Sequence, residues 1–304
     1  MSDYGEIFDS AFVGAPGDKI LLPLLGYPAE RDAMFIALVT AEYFGSSIHV
    51  FHLANKSIKS EAYFLEQIEW FKEQAKTYNV ELTIIIKEAT GNTKPESAIL
   101  TEIHEVAPKL TIMMSRKKGL FQRLSGGSIA ERIARKSPHS VIIIRSPIKD
   151  WITYGSQIDP RKIVVPIGAN MPCEVCATQI AIAIANAGAK RDAQITLLHV
   201  IVVPETVPII TEDDEMLIQE ERKFVKLAGR YSTMLLFPMN TRVVVGRDIG
   251  RSVSRFVNKE HADLVVMGVP YLPRRILGLY GTDTKEISHN SKCPVVMLFH
   301  KNIP

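Results

Sequence analysis

Two short stretches of the chain combine residues that can hold an anion. Gly127-Ser128 and Gly281-Thr282 each set a glycine before a hydroxyl residue where a helical pattern begins. Glycine leaves backbone N–H groups open to approach, a hydroxyl can cap, and a helix start carries the positive end of its dipole. Together these are the ingredients of a phosphate site. Cations precede both pairs: Arg116, Lys117, Lys118 and Arg123 in the first case, Arg274 and Arg275 in the second. The plainer alternative is that Ser128 and Thr282 only cap their helices while the cations stay solvated, since Ser and Thr are preferred caps everywhere.

A second group of residues could do thiol chemistry. Cys173 and Cys176 form a CxxC pair after Pro172, at the expected start of a helix, where a thiol is easier to ionise. The flanks do not match a thioredoxin motif, so structural or incidental cysteines are the favoured reading. Zinc would need two further ligands, and neither a second CxxC nor a paired His is present; Cys293 is expected to be packed. His199 lies inside an expected strand with His52 as its counterpart, which points to hydrogen-bonded core histidines. Asp248 and Asp283 fall near the expected ligand face, where helix-start acids are common. No GxSxG elbow, Walker GxxxxGK[ST] or HExxH occurs.

The elements that must position these residues come in two copies. KILLPL, starting at Lys19, recurs as KIVVPI at Lys162, and the segment from Gly126 to Ile144 matches that from Tyr280 to Leu298. Each copy alternates β-branched runs with helical patterns. Strands are expected at 19–24, 47–53, 81–88, 110–114 and 140–145, then at 162–167, 194–203, 241–246, 263–269 and 294–299. The runs are apolar on both sides, as in a parallel sheet covered on both faces. Phe64, Ile68, Phe71 and Ala75 mark one buried helical stripe, and the helix from Ala177 to Ala187, apolar nearly all round, should be deeply buried. The pattern predicts an α/β fold of two tandem, doubly wound, five-stranded parallel-sheet domains. The expected boundaries are an extension over 1–18, a first domain over 19–146, a linker over 147–161 and a second domain over 162–304. Such sheets bind ligands beyond the carboxyl ends of their strands.

Composition narrows the function classes. The chain has 304 residues, 46% apolar and 23% charged, which suits a folded pair of domains that need no disulfide or metal staples. Residues 1–150 hold 18 Lys and Arg against 18 Asp and Glu, and residues 151–304 hold 18 against 15. No basic face for nucleic acid emerges from that balance. No apolar run approaches the ~18 residues of a membrane span, and the acidic start does not read as a signal peptide. Three cysteines give no disulfide framework, so a reducing cytoplasm is expected.

Several motifs together resemble the universal stress protein family, in its tandem two-domain form. The carriers are the KIVVPI strand, LLHV at 197–200, the Gly246 turn, ADLVVMG at 262–268, Gly281-Thr282 and the closing SKCPVVML. The resemblance implies domains of the adenine nucleotide alpha hydrolase type that associate through their last strands, making the chain a covalent pseudo-dimer. It implies ATP or another adenine nucleotide as the candidate ligand. Nucleotide-binding members carry Gly, two residues, Gly, nine residues, then Gly and Ser or Thr. The second copy keeps Gly268, Gly281 and Thr282 but has Tyr271 at the middle glycine; the first keeps Gly127 and Ser128 but has Met114 and Lys117 earlier. The Asp that usually ends the first strand is Leu25 in one copy and Gly168 in the other.

The expected protein is therefore a stress-response regulator that binds ligand or partner without a catalytic step. A nucleotide would sit in the second copy, with Ile167, Gly168 and Val200 near the base and Gly268, Gly281 and Thr282 near the phosphates. The alternatives are an interaction module with decayed sites, a weak ATPase, or a thiol redox protein using Cys173 and Cys176.

Overall fold

The β-branched runs form strands within one or two residues of where the sequence predicts them. In chain order the first half holds β1 (Lys19–Leu24), α1 (Arg31–Phe44), β2 (Ser47–Ala54), α2 (Ile58–Thr77), β3 (Leu82–Glu88), α3 (Pro95–Val106), β4 (Leu110–Met114), α4 (Ile129–Lys136) and β5 (Ser140–Arg145). The second holds β6 (Lys162–Pro166), α5 (Pro172–Ala187), β7 (Gln194–Val202), α6 (Glu215–Met234), β8 (Met239–Gly246), α7 (Ile249–Lys259), β9 (Leu264–Val269), α8 (Thr282–Asn290) and β10 (Val295–Phe299). The computed structural model describes residues 16–26, 30–54, 58–89, 93–115, 128–146, 160–168, 172–187, 193–206, 215–269 and 281–301. The chain divides into two units, residues 1–158 with 297–304, and residues 159–296.

The first unit's sheet runs β3-β2-β1-β4-β5, with β1 parallel to both β2 and β4. In the second half the order is β8-β7-β6-β9-β10, with β6 parallel to both β7 and β9. The chain thus leaves the centre of each sheet in one direction and returns on the other side of β1 or β6. Strand order reverses there, and the crevice for a ligand opens beyond the carboxyl ends of those strands.

Packing explains the patterns. Phe64, Ile68, Phe71 and Ala75 of α2 are buried as one stripe, and Phe224, Ala228 and Tyr231 of α6 form its counterpart. Helix α5 is buried from Cys173 to Ala185, as its all-round apolar sequence predicts, and α1 is buried over most of its length. Helix α1 stops at Gly45, whose φ of +65° is the left-handed cap that glycine adopts at least cost. One expectation needs correction. Coverage on both faces holds for β1, β4, β5, β9 and β10, while β3 and β8 are half-exposed or exposed along most of their length. Each stands at an end of its strand order, and charged residues such as Lys87 and Arg242 sit on them, as suits an edge strand.

Candidate functional site

At the end of β6, the polar groups expected near a base already have partners within the protein. Ile167 N–H donates to Leu198 O at 2.9 Å, and Ile167 O accepts from His199 Nδ1 at 2.9 Å. Gly168 N–H donates to Glu174 Oε1 at 2.8 Å. Val200 lies inside β7, in register with Val244 of β8. The first unit repeats the arrangement. His52 Nδ1 donates to Leu24 O at 2.9 Å, and Leu25 N–H donates to Glu30 Oε1 at 2.8 Å.

His52 is a core residue, as the sequence indicates, while His199 is only half-buried, and each holds a strand-end carbonyl. His52 is 1% exposed and stacks on Phe64 with ring centroids 3.8 Å apart; His199 stacks on Phe224 at 5.0 Å. His52 has one partner more. Its Nε2 lies 3.2 Å from the Glu61 carboxylate, so both of its ring nitrogens face acceptors.

Gly268 ends up in a tight place. A Cβ on it would lie 2.3 Å from Cys173 O and 2.7 Å from Glu174 N, so the missing side chain is what lets the first turn of α5 rest against β9. Met114 occupies the corresponding end of β4 in the first unit.

The two helix starts differ most. Ser128 is the N-cap of α4: its Oγ accepts from Glu131 N–H, and Glu131 Oε2 accepts from Ser128 N–H, both at 3.2 Å. Ser115 Oγ adds a bond to Ser128 Oγ at 3.3 Å. This reciprocal capping box engages two of the backbone donors at that helix start. In α8 the N-cap is Gly281, with no side-chain cap, and Thr282 is the first helical residue. Thr282 is therefore not the cap hydroxyl its position after glycine suggests. Among the described residues a Cβ at Gly281 would meet nothing within 4 Å. Gly127, Tyr271 and the loop cations Arg116, Lys117, Lys118, Arg123, Arg274 and Arg275 lie outside the described residues.

The acids near this face serve α7. Asp248 is its N-cap and accepts from Arg251 N–H at 2.7 Å, while Asp283 turns from α8 to accept from Gly250 N–H at 3.3 Å. Cys173 and Cys176 are buried at the start of α5. Burial, with the Glu174 carboxylate adding to it, pushes the Cys173 thiol up to about 12; burial and the neighbouring Cys173 push Cys176 up as well. Burial and Glu174 also raise the Tyr231 phenol. A helix start should ease ionisation, but desolvation outweighs it here. No group of three or more His, Cys, Asp or Glu able to hold a metal occurs among the described residues. Nor is any described helix long and apolar enough to cross a membrane.

The family model described as the universal stress protein family matches residues 17–145 and again 160–298. The chain belongs to the universal stress protein family. Solved structures share this fold. A functionally unknown protein from Pseudomonas aeruginosa PAO1 is 15% identical, with a TM-score of 0.59 and 93% of each chain covered. A universal stress protein from Archaeoglobus fulgidus DSM 4304 is 13% identical, with a TM-score of 0.56, covering 94% of this chain and 97% of that one. A putative universal stress protein from Pseudomonas aeruginosa UCBPP-PA14 is 14% identical, with a TM-score of 0.56 and coverage of 93% and 94%. No curated protein matches.

What sequence reasoning missed in this universal stress protein are Glu30 and Glu174. Both were legible only as acids near a helix start, and at different distances from the strand they reach, 5 positions in one case and 6 in the other.

Proposed function

We propose that this universal stress protein is a cytoplasmic, stress-responsive binding module that takes the phosphates of ATP or another adenine nucleotide at α8 of the second unit, with no catalytic step of its own. The observation that carries this reading is the inequality of the two helix starts. A helix with glycine at its N-cap keeps its first-turn N–H donors from any N-cap side chain and leaves them, with the positive dipole end, to an anion, whereas a capping box engages two backbone donors. Gly281 adds room for the phosphates. The high thiol values of Cys173 and Cys176 speak against the redox alternative. The occupied strand ends favour a second reading, an interaction module whose nucleotide sites have decayed.

Mass spectrometry of small molecules released from the purified protein separates the two. A stoichiometric adenine nucleotide supports the binding module. An empty protein whose melting temperature also ignores millimolar ATP leaves the interaction module. Within the chain, Gly281→Asp should abolish an ATP-induced thermal shift, because a cap carboxylate would occupy and repel at the cradle. Ser128→Asp should leave the shift unchanged.

A further inference from the structure

We propose that Glu174 is a latch on the ligand face of the second unit: its carboxylate occupies the Gly168 N–H at the end of β6 and must leave before a ligand can use that donor. The backbone donors just past the central strands of an open parallel sheet are the polar groups a ligand in the crevice can reach. Here the donor is already taken, 2.8 Å from Glu174 Oε1, and Glu174 as a residue is only 9% exposed. A bond from N–H to a carboxylate belongs to the stronger, charge-assisted class, so the contact is a real competitor and not an incidental touch.

Two features mark the contact as built. The first unit makes it too, from Leu25 N–H to Glu30 Oε1 at 2.8 Å, with Glu30 6% exposed. The sequence offset differs by one residue between the copies, 5 against 6, so the chain delivers a carboxylate to the same donor by two different local routes. In addition, Gly268 lets α5 begin against β9, close enough that a Cβ there would meet Glu174 N at 2.7 Å. That packing fixes the turn from which Glu174 reaches back. The carboxylate also rests on the bare Cα of Gly168, 3.5 Å from where a Cβ would stand.

The latch takes its ligand from the nucleotide reading of the second unit. An acceptor atom of the nucleotide, a ring nitrogen or a ribose oxygen, would inherit the Gly168 N–H once Glu174 swings out. Shortening or neutralising the acid should then strengthen binding, the opposite of what removing a ligand contact does. Glu174→Asp keeps the charge and loses one methylene of reach; Glu174→Gln keeps the reach and loses the charge.

The test is ATP titration by calorimetry on the full chain, with amide hydrogen exchange at Gly168 measured without ATP. Both variants should bind ATP about tenfold more tightly than wild type and exchange the Gly168 amide faster. Glu30→Gln should leave ATP affinity unchanged, because the capping box keeps α4 closed. If one variant at Glu174 loses its folding transition, the other decides. Unchanged or weaker ATP binding alongside faster Gly168 exchange overturns the latch, as does a gain that appears only in Glu30→Gln. Should no form bind ATP, the nucleotide reading falls separately. Gly168 exchange then decides: protection unchanged in Glu174→Asp overturns the latch, and protection lost supports it.

Discussion

Helix α4 begins on a serine whose hydroxyl and whose partner Glu131 satisfy each other's backbone donors, while α8 begins on Gly281, which has no side chain to cap it. The helices that pack beside them differ in the same spirit. The second residue of α3 is Glu96, which ties α3 to α4 by ion pairs with Arg132 and with Lys136, the latter at 2.7 Å. The second residue of α7 is Gly250, where a Cβ would lie 2.6 Å from Glu286 Cβ, so α7 and α8 meet backbone to side chain. At the starts of α4 and α8, one copy uses a capping serine and the other a glycine. Duplicated folds can therefore keep a common core and diverge at helix starts, where one residue decides whether a first turn serves stability or a ligand.

The largest expected effect tests whether the units are independent. Phe71 is fully buried on α2, and Phe71→Ala should destabilise the first unit by about 3–5 kcal/mol. Calorimetry should resolve an early transition while ATP still shifts the later one. A single merged transition that ignores ATP would break the comparison.

Alkaline pH should separate the units next. All three cysteines lie in the second unit, and burial raises Cys173 and Cys293 from near 9 to about 12 in the folded state. The folded state then holds thiol protons that the unfolded chain has shed. Their stabilising contribution is complete below pH 9 and is lost as pH rises from 9 toward 12. At pH 10 each such thiol should cost on the order of 1 kcal/mol. Melting followed at pH 8 and pH 10 should show the second unit losing more than the first.

A smaller effect, about 1–3 kcal/mol, is expected for Gly268→Ala, because Cys173 O and the start of α5 must shift to admit the methyl group. Met114→Ala at the matching end of β4 should cost less, and chemical denaturation compares the two. Ser128→Ala should cost about 1 kcal/mol by undoing the capping box. It would also open α4, so a new ATP response in that variant would show how little separates a closed helix start from an open one. The smallest change, Lys136→Ala, removes an exposed partner of Glu96 and should cost at most a few tenths of a kcal/mol, read from denaturation midpoints.

Much of this was legible in the residues. The β-branched runs and the stripe Phe64, Ile68, Phe71 and Ala75 report their own burial, because periodicity carries that information locally. The edge character of β3 and β8 was not legible, since an apolar run reads the same whether one neighbour or two pair with it. Gly281-Thr282 marks a helix start in the sequence, yet which of the two caps depends on backbone angles that the pair alone does not set.

By itself, then, the sequence determined the duplication, the alternation of strands and helices, and the pairing of His52 with His199 as counterparts, each from repeats or spacing along the chain. Only the tertiary structure decided that Glu30 and Glu174 reach the strand ends, that Gly268 serves helix packing, and that the two helix starts are unequal. Those outcomes rest on distances between segments brought together by folding, and a hydrogen bond depends on where its partners arrive in space, not on how far apart they stand in the chain.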